Sequence, residues 1–180
     1  MILKDKIWWT KEARIYAEKR LRFNDMHSQI ILIWYSFSSV AISIYYLGDT
    51  KQPIFISKIW IIFSVLVLTA SIMINSFSFK ERARNLKENY QKLDDLYNNY
   101  YFLKKSQRLK AYTDLIVACE NHERIDHIKA KVIRYKYGGT VETPPLQYFT
   151  KYRNYNLMYF AFLAFIYLLP ISIFSIIKIS

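Results

Sequence analysis

Three long stretches of the chain carry no charged residue, and densely charged segments separate them. The first runs from Ser28 to Gly48, the second from Ile59 to Phe79 and the third from Asn154 to Ile177. A helix rises about 1.5 Å per residue, so about 20 residues cross the roughly 30 Å hydrocarbon core of a bilayer. Buried helices of soluble proteins rarely run this far without charge, and three of them would leave little chain to cover them. The pattern predicts three transmembrane helices.

The segments between these stretches have helical periodicity. Residues 5–27 contain no Gly or Pro and carry one face at spacings of four and three, formed by Trp9, Ala13, Tyr16, Arg20 and Phe23. This amphipathic helix is predicted to run without a break into the first span. The less favoured interpretation of the third stretch is a helix that lies on the membrane surface without spanning it, because the third stretch has no polar face.

Beyond Phe79 the second span is predicted to continue as a helix with a heptad seam. The seam residues are Leu86, Tyr90, Leu93, Tyr97 and Tyr100. Further helices reach residue 137, with a break around Lys104 to Arg108, and Gly138-Gly139 ends them. The seams of these helices bury against each other, against the N-terminal helix or against a neighbouring subunit, and sequence alone leaves these three open. The five residues named above are the candidates for an oligomer or partner contact.

The predicted fold is therefore an all-α membrane protein in four parts. It has an N-terminal amphipathic helix (1–27), a transmembrane hairpin (28–79, with spans 28–48 and 59–79), a cytoplasmic helical region (80–153) and a third transmembrane helix (154–177). Lys and Arg set the orientation, since residues 1–27 hold seven of the 26 and residues 80–153 hold sixteen. The positive-inside rule places these regions and the N-terminus in the cytoplasm, and the C-terminus outside.

The net charge of +12 is then explained by topology and by contact with an anionic leaflet. Nucleic-acid binding is disfavoured because no recognition motif accompanies the charge. One cysteine, Cys119, excludes a disulfide within the chain and favours a reducing compartment.

No enzyme is predicted, and no cofactor or metal is expected. The chain has three glycines and lacks the P-loop, G-x-G-x-x-G and G-x-S-x-G motifs. Possible ligands gather only at Cys119, His122, Glu123, Asp126 and His127, without the spacing of a zinc site. The favoured interpretation of this cluster is an exposed helix with His–carboxylate pairs four residues apart and a packed cysteine.

Polar residues inside the spans form stripes. In the second span Ser57, Ser64, Ser71, Asn75 and Ser78 share one face, and in the first span Gln29, Ser36, Ser39 and Ser43 do so. Polar groups in a bilayer usually face protein or water. They either let helices pack closely or line an aqueous path in an oligomer, and both interpretations are open for the second span. The pore-lining candidates are Ser64, Ser71, Asn75, Ser78, Ser36 and Ser43.

The stretch from Ala13 to Tyr46 resembles the SLATT family, the SMODS- and SLOG-associating two-transmembrane effectors of bacterial conflict systems. The similarity lies in the amphipathic ARIYAEKRLR, the ND-x-x-SQ run entering the first span and the YSF after it. The third span departs from a two-helix plan. The resemblance implies an antiphage effector of the bacterial inner membrane that forms a homo-oligomer and opens a pore when a partner sensor fires, the partner being a nucleotide cyclase system or a reverse transcriptase. The alternative is a non-conducting anchor or adaptor that holds a cytoplasmic partner through its helices.

Overall fold

The computed structural model describes residues 2–47, 54–139 and 143–179, and within these ranges the chain is helical with no strand. The helices are α1 (Leu3–Leu47), α2 (Ile54–Ser76), α3 (Phe79–Asn98), α4 (Lys105–Val117), α5 (Arg124–Lys136) and α6 (Leu146–Ile179), with a short 3-10 helix at Tyr100–Phe102. Three helical stretches, in α1, α2 and α6, are long and apolar enough to cross a membrane. The predicted all-α class with three such helices is confirmed.

The helices form two compact units. The charged unit comprises Met1–Phe23 and Phe79–Leu157, and the apolar unit comprises Asn24–Ser78 and Met158–Ser180. Helix α1 contributes its first part to the charged unit and its second part to the apolar unit. Residues 48–53, in the connection between the two predicted spans of the hairpin, lie outside the described residues, as do residues 1, 140–142 and 180.

The core of the charged unit is an antiparallel pairing of α1 with α3. Ile7 of α1 packs in one cluster with Leu93, Leu96 and Tyr100, and at the other end Ala17 and Leu21 pack with Ala83 and Leu86. The buried α1 positions Ile7, Thr10, Arg14, Ala17 and Leu21 recur at spacings of three and four. This is the spacing of a coiled-coil seam, and burial of its apolar members is what stabilises the pairing.

The buried face of α3 is rotated slightly from the predicted heptad. It consists of Ala83, Leu86, Asn89, Leu93 and Leu96. Tyr90 and Tyr97 are only half-buried, at the edge of this face. A tyrosine has an apolar ring and a polar tip, so it counts as a core residue in a sequence pattern but is stable at the margin of a core. The predicted and observed faces share Leu86, Leu93 and the Tyr100 that follows.

Two helix ends differ in how well the sequence marks them. The second span does not continue into α3 as expected, because α2 ends at Ser76 and Ser78 has a positive φ of 48°. No Gly or Pro announces this break. By contrast, Gly138 has a φ of 70° and the Gly139 N–H donates to the Arg134 carbonyl at 2.7 Å, which ends α5 as predicted.

The apolar unit combines the second part of α1 with α2 and the last part of α6. Its outer side chains are apolar and well exposed, as at Ile33, Ile72 and Phe165, each more than 60% exposed. Lipid tails solvate such side chains, whereas water would not, so this surface is typical of membrane-spanning helices.

Candidate functional site

The polar stripes of the two hairpin helices meet at one point. Ser39 of α1 and Ser64 of α2 lie with their hydroxyl oxygens 2.9 Å apart, and Ser64 also donates to the Trp60 carbonyl. Beside this pair Tyr35 stacks on Phe63 with ring centroids 5.9 Å apart. Small hydroxyl residues here let two helices approach closely and bond to each other, so Ser64 is engaged within the chain.

The other pore-lining candidates lie elsewhere on the apolar unit. Ser36 and Ser43 of α1 are exposed, and the Ser43 hydroxyl donates to the Ser39 carbonyl of its own helix. On α2, Ser71 is half-buried and Asn75 is exposed, one helical turn later. Ser78 lies in the break between α2 and α3. The stripe predicted on α2 is therefore divided, with Ser64 facing α1 and Asn75 facing outward.

Helix α6 is held to α1 at the point where a proline interrupts it. Pro170 has no N–H, which leaves the carbonyl four residues earlier without its helical donor. That carbonyl belongs to Ile166, and it accepts a hydrogen bond from the Tyr35 hydroxyl at 2.9 Å. The next carbonyl, of Tyr167, accepts from the Trp34 indole N–H at 3.0 Å. Two aromatic side chains of α1 thus satisfy the backbone that Pro170 disturbs.

Further contacts set α1 and α6 side by side in the same direction. The Tyr159 hydroxyl bonds to the Asn24 side chain at 2.7 Å, and Tyr45 packs edge-on against Phe174 near the other end. Between them, the Tyr167 hydroxyl and the His27 ring lie 3.0 Å apart. Both helices advance together from one end to the other, so within the apolar unit α6 covers the same length as the α1 span.

The seam candidates of α3 lie in the charged unit. Leu86, Leu93 and Tyr100 are buried against α1, so the contacts described for them are within the chain. Tyr97 lies under two lysine ammonium groups, with Lys4 4.8 Å and Lys11 5.6 Å from the ring centroid. The α1–α3 pairing thus uses much of the surface that the sequence left open to a partner.

Sequence reasoning missed a set of buried charges on α1. Glu12 is 2% exposed and accepts two hydrogen bonds from Arg134 of α5, at 2.7 and 2.9 Å. Arg20 donates two bonds of 3.0 Å to Asp126, which is 1% exposed, and the pair is bidentate. Paired charges of this geometry are strong and directional, so they fix α5 on α1. Their signal in the sequence is weak, since the partners are more than 100 residues apart.

The predicted exposed helix with His–carboxylate pairs at 119–127 is wrong. Residues 118–123 form a loop between α4 and α5, Asp126 pairs with Arg20 rather than with His122, and the Asp126 side chain also caps α5 by accepting from the Glu123 N–H at 3.0 Å. Burial lowers the pKa of His122, which the nearby Arg14 charge lowers further. Within the described residues no group of three His, Cys, Asp or Glu is placed to hold a metal ion.

One end of the charged unit exposes aromatic side chains. Tyr101 and Phe102 of the 3-10 helix are 74% and 88% exposed, and the exposed Lys104 and Lys105 follow them. Such a mixture of exposed rings and cations is typical of binding surfaces, where aromatic anchors contribute most of the affinity.

Comparison with known families shows which family this chain belongs to. A family model described as "SMODS and SLOG-associating 2TM effector domain family 5" matches residues 1–177. The chain belongs to this SLATT family. SLATT domains are effector domains associated with antiphage conflict systems. The match extends over α6, so the third apolar helix lies inside the SLATT region. Searches of curated proteins and of solved structures gave no match.

Proposed function

We propose that this SLATT chain is an effector of the bacterial inner membrane that self-associates and permeabilises the membrane when a partner sensor is activated. Membership of an effector-domain family and three helices long enough to span a bilayer support the proposal. Self-association, conduction and the sensor itself are parts of the proposal.

The observation that carries it is the exposed carboxamide of Asn75 on α2. Asn75 is exposed and lies next to apolar side chains that are exposed as well, with Ile72 at 66% and Met73 at 57%. Hydrocarbon cannot satisfy the donors and acceptors of an amide, so such a group faces water or another protein surface. Ser71, one turn away, continues the same stripe. In a ring of copies whose stripes face inward, the Asn75 amide would contact water in the central path. The neighbouring Ile72 would contact lipid or an adjacent copy.

The test is the double substitution Ser71→Leu/Asn75→Leu in the full chain. Leucine removes the polar stripe and keeps the helix apolar, so dye entry and depolarisation after induced expression should be abolished. The matched control is Ile72→Leu/Met73→Leu, which changes adjacent exposed positions without changing polarity and should leave leakage intact. Leakage by the Ser71/Asn75 variant at the control level would rule out this stripe as the conducting path.

A non-conducting adaptor is the second candidate, and the exposed Tyr101 and Phe102 favour it. A charge placed at Leu93 cannot test it, because Leu93 is fully buried and the charged unit would lose its packing. Phe102→Glu changes the exposed anchor alone. For an adaptor, this variant should lose protection against phage while Ser71→Leu/Asn75→Leu retains it. The pore reading expects loss of protection with the α2 variant.

A further inference from the structure

Arg14 is a buried arginine in the middle of the α1–α3 seam. Its side chain is among the largest fully buried ones, at 0% exposure. One terminal nitrogen, Nη1, donates to the Asn89 side-chain oxygen and to the Leu115 carbonyl of α4. The other two nitrogens, Nε and Nη2, have no hydrogen-bond partner among the residues that the structure describes. Buried donors are almost always bonded, so two on one side chain require an explanation.

The two unpartnered atoms form one edge of the guanidinium group. Nε–H and Nη2–H point in parallel and match the two oxygens of a carboxylate or phosphate. Two other arginines of the charged unit use this same edge. Arg20 binds Asp126 through Nε and Nη2, and Arg134 binds Glu12 in the same way. The same edge of the Arg14 guanidinium therefore has no carboxylate against it among the residues that the structure describes.

The surroundings of Arg14 add a second unpartnered group. The Nδ1 atom of His122 is buried and also has no partner among the described residues. His122 and Cys119 belong to the loop between α4 and α5, which begins three residues after Leu115, and Cys119 packs against the cluster that contains Ala17 and Leu21 of α1. A guanidinium keeps its proton at any physiological pH, so a positive charge stays buried here beside the neutral amide of Asn89. A buried charge without a counter-charge is costly.

We propose that the Nε–Nη2 edge of Arg14, with His122 beside it, is a binding site for a small anion that presents two oxygens, a carboxylate or a phosphate group. The loop of residues 118–123 is the cover of the site, and its displacement admits the ligand. Binding converts an uncompensated buried charge into a bidentate pair like the two that the unit already contains. This site lies in the charged unit and is independent of whether the α2 stripe conducts.

The experiment uses the full chain in detergent with three probes at matched ionic strength: inorganic phosphate, acetate and chloride. A ligand that binds only the folded state raises the unfolding midpoint with the logarithm of its concentration. We expect the wild-type midpoint to rise with phosphate, with acetate or with both, relative to chloride, and the responding probe identifies the ligand class. The lone Cys119 gives a second readout, since its rate of maleimide labelling should change with the same anion.

The deciding variant is Arg14→Lys, which keeps the charge and removes the two-donor edge. It should lose the midpoint and labelling responses, whereas Arg124→Lys, the same change at an exposed arginine, should retain both. A response in Arg14→Lys equal to wild type, or no wild-type response to phosphate or acetate, overturns the site and leaves internal water as the partner of Arg14. If Arg14→Lys does not fold, equilibrium dialysis of radiolabelled phosphate and acetate against His122→Ala decides: reduced binding of the responding anion supports the site, and undiminished binding overturns it.

Discussion

Asp126 shows how much a single carboxylate can organise in the charged unit. It holds Arg20 of α1 through two bonds and also caps α5 at the Glu123 N–H. The sequence interpretation paired this residue with a histidine four positions away, since spacing along one helix is what a sequence displays. Its real partner is on α1, more than 100 residues earlier, and tertiary pairings of that kind leave no periodic trace. This is why the fold was predictable and the buried charges were not.

We expect Asp126→Asn to destabilise the charged unit by about 1.5–3 kcal/mol, because Arg20 loses its buried bidentate partner and keeps only the exposed Glu123, 2.8 Å from its Nη1, as a counter-charge. The measurement is urea unfolding of the full chain in detergent. Glu88→Gln is the matched control, since its pairing with Arg84 is exposed and 3.9 Å long. It should cost no more than about 0.5 kcal/mol. Equal effects of the two variants would contradict the importance of burial.

We expect His122 and His127 to make the stability of the charged unit sensitive to acid. Burial lowers the pKa of both, and the charges of Arg14 and Lys131 add to the effect at His122 and His127 respectively. The unfolded chain therefore takes up protons first as the pH falls below the ordinary value of 6.5. The associated stability is present above that pH and is lost as the pH falls through the lowered pKa values of the folded state.

The measurement is the thermal midpoint of the charged unit between about pH 7.5 and about pH 5.5. It should fall with acidification in the wild type and fall less in His122→Gln/His127→Gln. A double variant with an unchanged slope would show that other groups titrate in this range.

At the scale of the helices, a helix end could be predicted from the sequence only where a residue type marks it. Gly138 ended α5 as expected, because a residue with positive φ favours glycine. The break after α2 was missed, because Ser78 adopts a positive φ without any breaker nearby. The apolar run through Phe79 read as one continuous helix. The Phe77 and Ser78 N–H groups donate to the carbonyls of Ile74 and Asn75, three residues earlier, so the helix ends in a tightened turn that no residue type in the sequence marks.

The hydrogen bond from Tyr35 of α1 to the Ile166 carbonyl of α6 gives a prediction at the same scale. Tyr35→Phe removes the donor to the Ile166 carbonyl that Pro170 leaves unbonded, so it should weaken the apolar unit by about 0.6–1.7 kcal/mol. Pro170→Ala restores the helical N–H, and in that background Tyr35→Phe should cost much less. A double-mutant cycle of unfolding in mixed micelles measures the coupling. Tyr45→Phe, at an exposed position, is the control. Additive effects of the changes at Tyr35 and Pro170 would show that the Tyr35 hydroxyl does not compensate for the proline.

For the whole molecule, the three apolar stretches were readable because length and the absence of charge are local properties of sequence. The direction in which they cross is a prediction from the distribution of Lys and Arg. Because Cys119 is the single cysteine, a membrane-impermeant maleimide should leave it unlabelled in spheroplasts and label it after lysis. Asp49→Cys in a Cys119→Ser background should be labelled in intact spheroplasts. The reverse pattern would invert the proposed orientation.

Pro170 and Tyr35 also carry a consequence for how SLATT chains diverge. A relative that replaces Pro170 regains a backbone N–H donor at that turn. Its carbonyl at position 166 then no longer needs a hydroxyl donor at position 35. A relative that keeps the proline must keep a side chain long enough to reach the carbonyl opposite it. The two positions, 135 residues apart in the chain, should therefore be inherited as a pair, and their joint exchange would trace the α1–α6 contact through the family without any structure.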